Sequence, residues 1–202
     1  MEKKRNRGWK GALAVLLATA GAQPALAVTP EEYAVARAEI VNLSNRMMIA
    51  ADAQDPDTYA NSFASDGVLD WVGGVEHGPK EIRAAIADWR KTRDPIAADA
   101  TSRPRTRHFV LNHVITLAPD GKTADGLVYW FALTNRTPQK DVQPLYFGHV
   151  IEKYKKENGK WLFASRKVYN ESLHNRALFY PELGEVDPRT LPMKENPPAK
   201  DK

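Results

Sequence analysis

The amino-acid sequence predicts an α+β domain in which three N-terminal helices cover one face of a curved, mostly antiparallel sheet. Three observations carry this. Between Thr29 and Trp89, apolar residues recur at three- and four-residue spacing, the period of a half-buried helix. From Arg105 onward the period changes to two. The later half is also punctuated by Pro119-Asp120-Gly121 and Asn158-Gly159, sequences that join adjacent antiparallel strands. Helices first and consecutive strands afterwards point to segregated α+β packing rather than a parallel α/β sheet.

Thr29, Pro30 and Glu32 combine an N-cap, a proline in the first turn and a capping-box carboxylate, so a helix starts here. Its stripe of Tyr33, Ala36, Ile40, Leu43, Met47 and Ala50 runs to about Asp52. Asp55-Pro56 starts a short second helix, with Tyr59 and Phe63 one turn apart on its buried side. Gly67 to Val72 is a strand, Gly73-Gly74 a tight turn and Val75 to His77 the return. Pro79 opens the third helix, striped by Ile82, Ala85, Ile86 and Trp89. A loop follows from Asp94 to Pro104. Four strands are then expected, at Arg105–Leu117, Thr123–Thr134, Leu145–Lys156 and Lys160–Asn170.

The two ends are different in kind. Residues 1–27 hold a basic start (Lys3, Lys4, Arg5, Arg7, Lys10), the uncharged run Gly11 to Ala20, and Ala25-Leu26-Ala27 as a small-x-small cleavage pattern. That is the plan of a secretory signal peptide cut after Ala27, with an apolar run shorter than the ~20 residues of a membrane span. It holds five of the chain's 29 basic residues and one of its 25 acidic ones, leaving 24 of each. The net charge of +4 therefore belongs to the leader, and the balanced remainder gives no electrostatic reason to expect nucleic acid or membrane as partner. A cysteine-free exported chain suits a periplasmic or secreted location. The domain is expected over residues 28–180. Residues 181–202, with Pro188, Pro192, Pro197 and Pro198 among charges, read as a mostly disordered tail.

Absent motifs narrow the chemistry. The sequence has no cysteine, no HExxH, no glycine-rich phosphate loop and no Gly-x-Ser-x-Gly elbow. His108 and His113 are five apart on one expected strand, so alternation sends them to opposite faces and away from any shared metal. No metal and no cofactor is expected. Asp52 and His108 are more informative. Asp52 falls at the C-terminal end of the first helix, where the helix dipole disfavours a carboxylate by about 0.3–1 kcal/mol, so it calls for a donor partner or solvent. Alternation places His108, Val110 and Asn112 on one strand face, mixing a titratable group, an apolar residue and an amide as a pocket wall does.

At these residues the sequence resembles the nuclear-transport-factor-2-like, SnoaL-like superfamily. The resemblance is carried by Ala50 to Asp55, Tyr59 to Gly67, Gly78 to Arg83, Arg107 to Asn112 and Gly159 to Arg166, and covers residues 30–171. It implies a cone-shaped roll around a deep pocket. In the superfamily's scytalone dehydratases and hexachlorocyclohexane dehydrochlorinases, an Asp at the end of the first helix pairs with a His on the first long strand. Those positions match Asp52 and His108. The implied activity is cofactor-independent elimination or retro-aldol deformylation of a small hydrophobic cyclic or aromatic substrate. His108 would act as general base and Asp52 would fix its tautomer. Trp71 stands where scytalone dehydratase has a tyrosine, so the acid or oxyanion partner is sought among Tyr129, Tyr146, His149 and Arg166. Arg166 could instead form a structural ion pair with Glu152. Trp71, Val110, Asn112 and Trp130 are the expected pocket residues. The competing expectation is a non-catalytic periplasmic binding or assembly module on the same fold. Either would self-associate through its exposed sheet, as a homodimer or homotrimer.

Overall fold

A computed structural model describes residues 28–93, 105–135, 139 and 141–174. The expected leader at 1–27, loop at 94–104 and tail at 181–202 lie outside these residues. Helix α1 spans Pro30–Ala53, α2 Pro56–Ala60 and α3 Gly78–Arg93. The strands are β1 (Phe63–Trp71), β2 (Gly74–His77), β3 (Thr106–Leu117), β4 (Thr123–Thr134), β5 (Gln143–Glu157) and β6 (Lys160–Asn170). They form one six-stranded sheet in the order β2-β1-β6-β5-β4-β3. Only the β1–β6 pair is parallel.

The capping box at the start of α1 is formed. The Glu32 amide donates to Thr29 Oγ1 at 3.1 Å, and the Thr29 amide donates to Glu32 Oε2 at 2.8 Å. At the other end Gln54 takes the left-handed conformation, φ 55°, and Asp55 donates its amide to Ala50. Asp55 immediately caps α2, its Oδ1 accepting from the amides of Asp57 and Thr58 at 3.1 and 3.0 Å. Two caps back to back turn the chain within three residues, which sets Asp52 at the rim of the helix layer. Phe63 is not part of α2, as the sequence spacing suggests. It opens β1, four residues before the expected strand start, and still meets Tyr59 at 5.9 Å between ring centroids.

The core lies between the helices and the inner face of the sheet, where Ile40, Leu43, Met47, Tyr59, Phe63, Leu69, Ile82, Ile115, Tyr154 and Phe163 are buried. Four of the five strand ladders carry a register shift. Bulges bend strands and increase local twist, so they curl the sheet around the helices. The Asn158-Gly159 turn closes the β5–β6 hairpin with φ 51° and 77°, the pair of positive values that a two-residue hairpin requires.

Gly148 shows how tightly β5 and β6 approach. A Cβ placed there would stand 1.9 Å from the Tyr169 carbonyl oxygen. Gly148→Ala should therefore cost at least about 3 kcal/mol, because a backbone and not a side-chain tip must move. Gly159→Ala, with positive φ but nothing within 4 Å, should cost about 1–2 kcal/mol. Urea unfolding of both variants against the unchanged protein checks the ranking.

Candidate active site

The last turn of α1 brings Asp52 against β3. Its Oδ1 stands 2.7 Å from His108 Nδ1, and both its carboxylate oxygens accept the His108 backbone N–H at 3.2 Å. The helix end that disfavours the carboxylate is thus offset by two donors from one residue. A carboxylate only accepts, so Nδ1 carries a proton, and in the neutral imidazole Nε2 is the nitrogen with the lone pair. The two side chains are largely buried, at 11% and 16% exposure.

His108 borders a cavity of about 100 Å³. Its wall is formed by Met48 and Ala51 from α1, Tyr59 from α2, Trp71 and Val72 at the end of β1, and Ile86 and Trp89 from α3. The strands add Trp130, Tyr146, Arg166, Val168 and Asn170. Trp71 is fixed in place by three neighbours. Its indole N–H donates to Glu76 Oε2 at 2.8 Å, and its ring meets the edge of Trp89 at 6.0 Å. Gly73 passes so close over the indole that a Cβ there would lie 2.5 Å from it. Burial raises the Glu76 carboxyl above its ordinary range, against the hydrogen bond from Trp71.

Of the residues expected from the sequence, Asp52, His108, Trp71, Trp130, Tyr146 and Arg166 meet at this site. Val110 lies on the same strand face as His108 but packs into the core beneath Trp130. It does not line the cavity, and three further expectations fail. Asn112 is exposed at a bulge, with φ 52°, and does not face the cavity. Tyr129 and His149 are paired with each other on the outer face of the sheet, one residue out of phase with inward-facing Trp130 and Val150. There His149 Nδ1 lies 2.7 Å from Glu171, and its ring stacks on Tyr169 at 4.5 Å. The bulge between Leu111 and Val114 also overturns the expected separation of His108 and His113. The extra residue resets the alternation, so both histidines face inward.

Tyr59, Trp89 and Asn170 are cavity residues that the sequence reading left in the core or unremarked. The apolar stripes mark Tyr59 and Trp89 as buried, but periodicity does not say which buried residues border empty space. Among the described residues, no three His, Asp or Glu side chains converge as metal ligands.

Behind the cavity lies a buried polar network. Arg166 donates from Nε to Glu152 Oε1 at 2.9 Å, the cross-strand pair anticipated from sequence. Tyr154 donates its hydroxyl to the other Glu152 oxygen, and His113 Nε2 stands 2.9 Å from the Tyr154 oxygen and 3.4 Å from Glu152. Glu152 and Arg166 are 0% and 3% exposed. Burial alone would raise the Glu152 carboxyl. The His113 hydrogen bond and the Arg166 charge outweigh it and hold Glu152 below its ordinary value of 4.5. Stabilisation from Glu152 is therefore complete above pH 4.5 and is lost as pH falls through its folded value. Glu152→Gln leaves a guanidinium buried without its counter-charge and should cost about 3–5 kcal/mol at neutral pH. Its urea midpoint should then fall less steeply than that of the unchanged protein below pH 4.5.

Comparison with known proteins agrees with this fold. The model of the SnoaL-like domain matches residues 32–167. No curated protein matches the chain in sequence. Among solved structures, ActVI-ORFA from Streptomyces coelicolor superposes with a TM-score of 0.59 at 21% identity, covering 69% of this chain and 98% of that one. A type 2 hexachlorocyclohexane dehydrochlorinase gives 0.57 at 16% identity, over 71% and 90%. A putative scytalone dehydratase from Novosphingobium aromaticivorans gives 0.56 at 15%, over 69% and 87%. At these identities the structures share the fold and no more. The family match covers most of the chain and all but the outermost parts of the α+β roll, and this chain belongs to the SnoaL-like domain family.

Proposed function

We propose that this chain is an exported, cofactor-independent lyase that removes a proton from a small, mainly hydrophobic cyclic or aromatic substrate. The observation that carries the reading is the 2.7 Å contact of Asp52 with His108 Nδ1, at the edge of a cavity walled by Trp71, Trp89 and Trp130. It leaves Nε2 of a neutral imidazole as the base, with a carboxylate placed to stabilise the imidazolium that forms. Such assistance contributes about 10²–10⁴-fold. The apolar wall keeps a charged intermediate from water. Two structural neighbours carry the names of elimination enzymes, a dehydrochlorinase and a putative dehydratase, which supports elimination ahead of retro-aldol deformylation. Of the residues expected as acid or oxyanion partner, Arg166 and Tyr146 line the cavity.

The test uses protein secreted from its own leader, whose first residue should read Val28, screened against hydroxylated aromatics with no added cofactor. Asp52→Asn and His108→Ala should each reduce turnover at least 10²-fold while unfolding within a few degrees of the unchanged protein. Turnover retained by both variants would sink the dyad mechanism.

We also propose that the outer sheet face joins two copies of the chain. Phe109, Phe131 and Phe147 align across β3, β4 and β5, the first two stacked at 4.8 Å. Phe109, Leu111, Val114 and Phe147 are 41%, 48%, 37% and 54% exposed, an apolar run on one face of the sheet that a second copy could cover. Light scattering should give an oligomer for the unchanged protein and a monomer for Phe147→Lys. A monomeric unchanged protein rejects this surface.

A further inference from the structure

The cavity beside His108 measures about 100 Å³. An apolar cavity of about 150 Å³ holds one benzene, so a ring and the dyad do not meet until a wall moves. Most of the walls are held by the body of the domain. Met48, Ala51, Tyr59 and Ile86 are buried in the core. Trp130 is bonded to the Tyr169 carbonyl at 3.1 Å, and Arg166 to Glu152 at 2.9 Å. Trp71 is held differently.

The parallel ladder of β1 with β6 ends at Asp70, opposite Lys167, and these two side chains are also paired at 3.3 Å. From Trp71 onward β1 pairs only with β2, the four-residue edge strand, through Trp71 opposite Gly74. The far end of β2 is fixed where His77 donates its amide to Glu81 of α3 at 2.8 Å. Residues 71–76 are therefore a hairpin tip between two anchors, projecting past the last rung of the β1–β6 ladder. The hydrogen bond of Trp71 to Glu76 at 2.8 Å and its contact with Gly73 both lie inside this tip. They carry the indole with the tip and do not tie it to the rest of the domain. On the other side the indole rests against the core and meets the edge of Trp89 at 6.0 Å. Val72 and Val75 are already 41% and 55% exposed, so an outward turn of the tip brings little apolar surface into water besides the indole itself.

We propose that Trp71 is the gate of the dyad cavity and determines which rings reach His108. In the closed arrangement the indole stands against Trp89 and the space behind it is smaller than a ring. The tip swings outward between Asp70 and His77, the indole leaves Trp89, and the cavity accepts a ring. Glu76 is the latch. It gives the part-buried indole N–H its acceptor, and a donor turned inward without one is disfavoured, so the closed arrangement loses ground when Glu76 is removed. A ligand that only the open arrangement takes binds with an affinity reduced by the open fraction. The inference rests on the lyase reading for the chemistry behind the gate and adds to it a limit on substrate size.

Stopped-flow binding of phenol and of 2-naphthol, one ring against two, reads the gate in the secreted protein. Opening has to precede entry, so Trp71→Ala should raise the on-rate of both probes about tenfold. The same variant should bring the affinity for 2-naphthol about tenfold closer to that for phenol. Glu76→Ala keeps the indole and removes the latch, and should raise both on-rates about threefold to tenfold. Glu76→Gln still accepts the indole N–H and should bind at the unchanged rate. On-rates and a size preference that survive Trp71→Ala overturn the gate. So does a Glu76→Ala protein that binds at the unchanged rate, which decides the matter where Trp71→Ala does not fold. Failure of the dyad reads differently: Asp52→Asn and His108→Ala retain turnover, whatever the two probes do.

Discussion

The buried pair of Glu152 and Arg166 is the constraint from which much of the domain follows. Directly opposed on β5 and β6, the two residues fix the register of that ladder, because a slip of one residue would turn one charge to the outer face and leave the other buried without it. Replacing them with apolar residues of similar volume often leaves a protein as stable, so such a pair is weak evidence for stability on its own. Its geometry is more telling. The carboxylate is served by three neighbours, the guanidinium borders the cavity, and one of the three, His113, comes from a strand two places away.

That reach across the sheet depends on the bulge in β3. Without it, His113 would point outward and Glu152 would lose the hydrogen bond that does most to offset its burial. Upstream of the bulge the even-numbered residues Thr106, His108 and Val110 face inward. Downstream, His113, Ile115 and Leu117 do. One inserted residue therefore lets a single strand supply the base of the dyad at the cavity and a ligand of the buried carboxylate behind it. Asn is among the few residues besides glycine that tolerate the left-handed backbone needed there, which gives Asn112 a structural reason to be where it is.

Much of this was legible from sequence, and the remainder was hidden for identifiable reasons. Caps and turns are local chemistry, so the start of α1, the Asn158-Gly159 hairpin and the limits of β4 and β6 could be read residue by residue. That Asp52 calls for a donor or solvent could be anticipated from its place at a helix C-terminus, and the resemblance to the superfamily implied His108 as that donor. The bulge was not legible, since strict alternation fits Thr106 to Leu117 about as well as a strand with one residue inserted. That single omission misplaced both Asn112 and His113. Tyr129 and His149 were misassigned for another reason. Alternation gives the relative phase of residues on one strand but does not say which phase faces the helices, and a strand whose two faces are both apolar gives no sign of it.

This same property connects the site with the surface behind it. β4 carries Val128, Trp130 and Ala132 inward and Leu127, Tyr129 and Phe131 outward, so both its faces are apolar. Hydrophobicity alone cannot hold such a strand in register, because a one-residue slip would bury about as much apolar area. Polar contacts must supply the discrimination. Trp130 donates its indole N–H to the Tyr169 carbonyl at 3.1 Å, a bond that only the inward phase can make. It passes over Gly148, where no side chain stands in the way. The residue that walls the cavity beside His108 is thus also one that keeps β4 from slipping. A change at Trp130 made to enlarge the pocket would loosen the register on which the dyad's position depends.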